Sequence, residues 1–157
     1  MVSEGLLVLT AELAVAIAGF SSVVVAVGSR PVAEWTPGEQ RNLRILLQVS
    51  GLAILASLLP LILRLGIDTP RLWNVALAVY GVAHVIDVAT FLLRPVRGES
   101  QIPPILGLVI ALACIAVAAF GSALAAEIAY LAQLVWHLVI AGMGFAILIF
   151  RRQGSST

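Results

Sequence analysis

The chain contains five long apolar runs, at 5–27, 43–65, 72–93, 105–120 and 128–150, separated by short polar segments. As an α-helix, a run of about 20 apolar residues crosses the roughly 30 Å hydrocarbon core of a bilayer. Backbone polar groups must pair internally in hydrocarbon, and helices achieve this within one segment. The runs therefore predict an all-α fold, a five-transmembrane-helix bundle that occupies 1–157 as a single domain of the cell (cytoplasmic or inner) membrane.

The composition agrees with this prediction. Of the 157 residues, 61% are hydrophobic and 11% are charged, more apolar surface than a soluble domain of this size can bury. The net charge of +1 gives no reason to expect nucleic acid as a partner. All nine basic residues are Arg, so no side chain can form the Schiff base that a retinal protein needs. Cys114 is the single cysteine, which excludes an intramolecular disulfide.

Helix-capping signals mark the ends of the predicted helices. Thr36-Pro37-Gly38-Glu39 combines a capping Thr, an early Pro and a Glu at the third position, so the second helix should begin near Pro37. A glycine stop followed by a capping serine should separate the fourth helix from the fifth. The other expected boundaries lie at Thr69-Pro70, Arg94-Pro95, Pro103-Pro104 and Gly121-Ser122.

The arginines predict the orientation of the bundle. One side collects Arg30, Arg41, Arg44, Arg94, Arg97, Arg151 and Arg152, and the other side holds Arg64 and Arg71. Since positive charge accumulates in cytoplasmic loops, the N-terminus should lie outside and the C-terminus in the cytoplasm, with 151–157 as a short disordered tail. The acidic start Met1-Val2-Ser3-Glu4 and the length of the first run favour a retained span over a cleaved signal peptide.

Several polar and ionisable side chains occur at membrane depth, where they cost several kcal/mol unless paired or hydrated. With about 100° per residue, Tyr80, His84 and Asp87 share one face of the third helix, and Tyr130, Gln133 and His137 share one face of the fifth. We expect these faces and Glu12 of the first helix to meet inside the bundle. The candidate pathway for a proton, an ion or another ligand is Glu12, Tyr80, His84, Asp87, Tyr130, Gln133 and His137.

Three classes of function fit this arrangement. The first is a transport or channel protein for protons or a small solute, working as an oligomer, in which Glu12 and the two histidines exchange protons near neutral pH. The second is a non-catalytic structural or accessory subunit of a larger membrane complex, whose polar groups only hold the helices together. The third is an electron-transfer subunit with a b-type haem between His84 and His137.

Sequence motifs of membrane enzymes are absent: the chain has no H-E-x-x-H, G-x-S-x-G or C-x-x-C. We therefore expect a protein without catalytic residues, metal or other cofactor, haem being the alternative. Asp87, three residues after His84, is a candidate to set the tautomer of that imidazole. Small residues recur every four positions at Ala14, Ala18, Ser22 and Ala26. Such a face permits close helix packing, within the chain or against a second copy or another membrane protein.

Overall fold

The computed structural model describes residues 2–27, 31–67, 69–93, 95 and 101–153. They form five α-helices and one short 3₁₀ turn, Val32–Glu34. Each α-helix is long and apolar enough to cross a membrane, and no strand occurs in the described ranges, so the predicted all-α architecture with five candidate spans is confirmed. The helices are α1 (Val2–Ala26), α2 (Pro37–Leu63), α3 (Thr69–Leu92), α4 (Ile102–Phe120) and α5 (Ala123–Gln153).

The start of α2 has the predicted capping box. The Thr36 hydroxyl oxygen accepts a hydrogen bond from the Glu39 N–H at 3.3 Å, and the Glu39 carboxylate accepts one from the Thr36 N–H at 2.7 Å. Each interaction satisfies a backbone donor that the first helical turn cannot pair. The helix therefore begins at Pro37, one and a half turns before its apolar run.

The break between α4 and α5 is also where the sequence predicted it. Gly121 caps α4, and its N–H donates to the Val117 carbonyl at 2.8 Å. A β-carbon at position 121 would lie 2.5 Å from that same carbonyl oxygen, so glycine is required for this turn. The Ser122 hydroxyl then accepts a hydrogen bond from the Ala125 N–H at 3.2 Å and starts α5.

The C-terminal end differs from the prediction. Arg151, Arg152 and Gln153 were expected in a disordered tail, yet α5 continues through Gln153. Residues 154–157, and also Arg30, Arg94 and Arg97, lie outside the described part of the chain.

The fifth helix holds the bundle together, since it packs against each of the other four. The most extensive helix pairs are α3 with α4, α2 with α5 and α1 with α2. In contrast, α1 and α4 bury the smallest share of their apolar spans, 17% each against 39% for α2 and α3. The interior of the molecule therefore lies between α2, α3 and α5, and a polar site shielded from the surroundings must be built there.

A proline inside α2 is compensated by a tyrosine from α5. Pro60 has no N–H, so the carbonyl of Ala56, one turn earlier, loses its partner in the helix. The Tyr130 hydroxyl donates a hydrogen bond to this carbonyl, and both residues are buried. A buried carbonyl without a donor destabilises the folded state, which makes this link part of the fold.

Further polar links join neighbouring helices. The Asn42 amide of α2 donates to the Gly144 carbonyl of α5 at 3.0 Å. The Asn74 amide of α3 donates to the carbonyls of Ala118 and Gly121 at 3.0 and 3.2 Å, and so closes the end of α4. An ion pair between Glu4 and Arg64 connects α1 with the end of α2. These contacts fix the positions of the helices relative to one another along their axes.

Candidate functional site

The predicted polar faces of α3 and α5 do meet. Tyr80 and His84 from α3 lie against Tyr130, Gln133 and His137 from α5, and each of the five side chains is at most 3% exposed. Their spacing along each helix places them on one side, and the contact of α3 with α5 brings the two sides together. We call these five residues the interior cluster.

Hydrogen bonds within the interior cluster define the two imidazole tautomers. The Gln133 side-chain amide donates to His84 Nδ1 at 2.8 Å, so the proton of a neutral His84 lies on Nε2. His137 Nδ1 lies 2.8 Å from the backbone carbonyl oxygen of Gln133. This oxygen can only accept a hydrogen bond, so Nδ1 carries the proton and donates it. The Tyr80 hydroxyl oxygen, 2.9 Å from the same nitrogen, is a second acceptor. The Nε2 atom of a neutral His137 is consequently a bare acceptor.

Aromatic rings continue this network along the α3–α5 contact. Trp73 and Tyr130 have ring centroids 5.6 Å apart in an edge contact, and Tyr130 lies 5.2 Å from Tyr80. Tyr80 lies 5.2 Å from the His137 ring, which in turn lies 4.4 Å from His84. These distances fall at or close to the range in which aromatic rings attract one another. The two imidazoles are thus held in place by packing as well as by hydrogen bonds.

Several buried polar atoms at this site have no hydrogen-bond partner among the described residues. Two belong to the interior cluster, His137 Nε2 and Gln133 Oε1. Three others come from α2 and α5: Gln48 Oε1, Ser50 Oγ and Trp136 Nε1. Most buried polar atoms in folded proteins are paired, so such a group of exceptions needs a physical explanation.

The register of α2 against α5 places these atoms at a common depth. The two helices run antiparallel, and the Ala56–Tyr130 and Asn42–Gly144 links lie on either side of the site. Ser50 precedes Ala56 by the same number of residues by which Trp136 follows Tyr130. Because the helices are antiparallel, Ser50 and Trp136 lie at the same depth, between the two links. The unpaired donors and acceptors of α2 and α5 therefore share one layer of the bundle with His137.

The fourth helix closes the site beside His84. A β-carbon at Gly107 of α4 would lie 3.5 Å from His84 Nε2 and 3.2 Å from a methyl group of Val88. Glycine lets the α4 backbone approach the imidazole closely, and any larger side chain at this position would press on the ring or on Val88.

Glu12 lies apart from the interior cluster, contrary to the expectation that its carboxyl faces inward. Its side chain is exposed on the surface of α1, whereas Leu7, Thr10, Ala14 and Ser21 form the buried side of that helix. The rotation of α1 about its axis follows this apolar and hydroxyl face, which packs on α2 and α5. The predicted small-residue face is likewise divided, since Ala14 is buried and Ser22 and Ala26 are exposed.

Asp87 is half-buried on α3, one turn beyond His84. No described residue donates a hydrogen bond to its carboxylate, and His84 pairs with Gln133. The partner that orients His84 is therefore an amide from another helix and not the nearby carboxylate that the sequence suggested.

The two histidines do not fit a b-type haem in this arrangement. Axial ligands lie on opposite faces of the porphyrin, with the iron between them. The His84 and His137 rings have centroids 4.4 Å apart at an interplanar angle of 67°, an edge contact that leaves no space for a macrocycle. Within the described ranges, no three His, Cys, Asp or Glu side chains are grouped so that they could hold a metal ion.

Sequence reasoning gave α2 an inward polar side that includes Gln48, but it did not single out Ser50 or Pro60. Ser50, 0% exposed, and Gln48 bring polar atoms to the layer of His137, and Pro60 explains the position of Tyr130. A signal was present, because Gln48 and Ser50 lie two residues apart inside an apolar run and Pro60 interrupts the same run. The direction in which Gln48 and Ser50 point could not be predicted, because it depends on how α2 packs against α5.

Comparisons with known proteins give no family assignment: no family model, curated protein or solved structure matches the chain. The geometry of the interior cluster therefore carries the functional argument by itself.

Proposed function

We propose that the protein is a multi-pass protein of the cell membrane that conducts protons or a small polar solute through the interior between α2, α3 and α5. The N-terminus faces outside and the C-terminus faces the cytoplasm. Support for this orientation comes from the unequal distribution of arginines in the sequence, with seven on the expected cytoplasmic side of the spans and only Arg64 and Arg71 on the other.

One observation carries the transport proposal, namely the layer of unpartnered buried polar atoms around His137. If the polar residues only held helices together, their hydrogen-bonding capacity would be used within the bundle. Instead, the acceptors His137 Nε2 and Gln133 Oε1 and the Ser50 hydroxyl have no partner among the described residues, at the depth where two imidazoles meet. Water or a small polar solute with donor groups would satisfy these atoms.

The interior cluster has the chemistry that a proton relay requires. A proton that reaches Nε2 of His137 makes this imidazole cationic while Nδ1 keeps its hydrogen bond to the Gln133 carbonyl. The His84 ring, whose centroid lies 4.4 Å from that of His137, carries a transferable proton on Nε2. Imidazole is the side chain that gains and loses protons most readily near neutral pH. Tyr80 and Gln133 hold the two rings in position, and Glu12 takes no part in this route.

Flux measurements in liposomes test the proposal. We expect vesicles with the purified protein to dissipate a pH gradient, or to admit glycerol or urea, faster than empty vesicles. His137→Gln and His84→Gln should each lower this flux by about tenfold or more, since an amide cannot exchange protons as imidazole does. A dye trapped inside the vesicles reports the pH change, and light scattering reports solute entry.

Ser57→Ala is the matched control. Ser57 is as buried as the cluster, but its hydroxyl donates to the Ala53 carbonyl within its own helix at 2.8 Å, so flux should not change. Thermal unfolding in detergent verifies that each variant is folded. Vesicles with native protein that match empty ones for all three probes would refute the proposal, as would folded histidine variants with native flux.

A structural or accessory subunit is the second candidate. The observation that favours it is the set of cross-helix hydrogen bonds from Asn42, Asn74 and Tyr130, which use the polar groups for helix packing. This candidate predicts that the histidine variants lose thermal stability while native vesicles show no flux.

A further inference from the structure

The exposed side of α1 has two features that nothing within the chain explains. Glu12 lies in the apolar span of this helix, about 12 Å along the axis from Glu4. Its carboxyl group is exposed and has no hydrogen-bond or ion-pair partner among the described residues. Hydrocarbon does not solvate such a group, and lipid contact at this depth costs several kcal/mol.

Two glycines on the same side are the second feature. A β-carbon at Gly5 or at Gly19 would meet no atom within 4 Å, so packing within the chain does not require glycine at either position. Glycine in a helix interior costs about 1 kcal/mol relative to alanine. On a membrane helix it permits close approach of another helix, and no helix of the described part of the chain occupies this side.

These residues repeat with a period of seven. Gly5, Glu12, Gly19 and Ala26 are all exposed, and between them Ala16 and Val23 are exposed as well. A seven-residue period keeps one seam of a helix facing a nearly parallel partner along its whole length. The rest of the helix is consistent with this, because α1 buries only 17% of its span within the chain.

We infer that this face of α1 binds the same face of a second copy, forming a parallel, two-fold symmetric dimer in the membrane. Every copy inserts in the same orientation, so the two Glu12 side chains necessarily lie at the same depth. In a two-fold interface a residue on the central seam meets its own counterpart. A carboxyl group in its acid form donates one hydrogen bond and accepts one, so two such groups satisfy each other.

Self-complementary hydrogen bonding of the carboxyl group favours this occupant. The chain has no lysine, and the arginines on its described helices lie near the helix ends: Arg41, Arg44 and the C-cap Arg64 of α2, Arg71 in α3, and Arg151 and Arg152 in α5. Among the described residues of a second copy, the group at the depth of Glu12 is therefore its own Glu12 carboxyl. The face is separate from the interior cluster, so dimerisation and flux can be measured independently.

Dimerisation of the full-length protein in liposomes tests the inference. Energy transfer between copies labelled with donor and acceptor dyes gives the dissociation constant as the protein is diluted in lipid. We expect Glu12→Leu, which removes the hydrogen bonds, and Gly19→Leu, which blocks close approach, each to raise this constant by about tenfold or more. Glu12→Gln should stay within about threefold of the native constant, because an amide also donates and accepts.

Ala113→Leu is the matched control for added bulk. Ala113 is exposed on α4, the other helix with little buried surface, and its substitution should leave the dimer unchanged. All four changes are on exposed positions, so the fold should be retained, and thermal unfolding verifies this. A native protein that stays monomeric at every dilution, or a dimer that survives either Glu12→Leu or Gly19→Leu, overturns the inference.

Discussion

Gly81→Ala is expected to lower the free energy of unfolding by about 1–3 kcal/mol, the range typical of overpacking in a filled core. Gly81 lies on α3 where this helix contacts α4. A β-carbon there would lie 2.7 Å from Ile115 Cγ1, 3.3 Å from the Ala111 carbonyl oxygen and 3.5 Å from the Ile115 nitrogen. The shortest contact is with a side-chain carbon next to the branch point of Ile115, and the Ala111 carbonyl oxygen is also close, so Ile115 must shift and α4 must move slightly away from α3.

Gly142→Ala on α5 is the control for this prediction. A β-carbon at this position meets no atom within 4 Å, so only the higher helix propensity of alanine remains, and stability should stay equal or rise slightly. Reversible unfolding in mixed micelles with increasing denaturing detergent measures both variants. Equal stabilities for the two substitutions would contradict the close α3–α4 contact described here.

Tyr130→Phe is expected to destabilise the bundle by about 1–2 kcal/mol, the cost of leaving a buried carbonyl without its donor. The ring remains and can still pack against Trp73 and Tyr80, so the loss isolates the hydroxyl. The carbonyl that loses its donor is that of Ala56, which Pro60 deprives of a partner within α2. The same unfolding assay in mixed micelles measures the effect.

A double-mutant cycle with Pro60→Ala tests the proposed cause. Alanine at position 60 restores an N–H that can pair with the Ala56 carbonyl, so Tyr130→Phe should cost much less in the Pro60→Ala background than in the native protein. If the cost is the same in both backgrounds, the tyrosine does not compensate for the proline and the link between them is refuted.

Local chemistry made the helix ends predictable from the sequence. The capping box of Thr36 and Glu39 and the Gly121-Ser122 break involve residues within a few positions of one another, so their geometry is decided before the helices pack. Helical spacing was similarly sufficient to place His84 on one face and His137 on another. That these two faces meet followed from the high cost of exposing polar groups to lipid.

Properties that depend on helix packing were not predictable in the same way. The outward position of Glu12 results from the rotation of α1, which is determined by Leu7, Ala14 and Ser21 against neighbouring helices. Similarly, the partner of His84 is Gln133, separated from it by 49 positions, although Asp87 is much nearer in sequence. Spacing within one helix identifies a face but not the direction in which the face points.

The central position of α5 has a consequence for biogenesis. This helix is synthesised after the other four, yet it supplies the hydroxyl donor for Ala56, the amide donor for His84 and the carbonyl that accepts from Asn42. Until α5 leaves the ribosome and packs, the other four helices hold these groups unpaired. A nascent chain that stalls before α5 should consequently be recognised by membrane quality control and degraded.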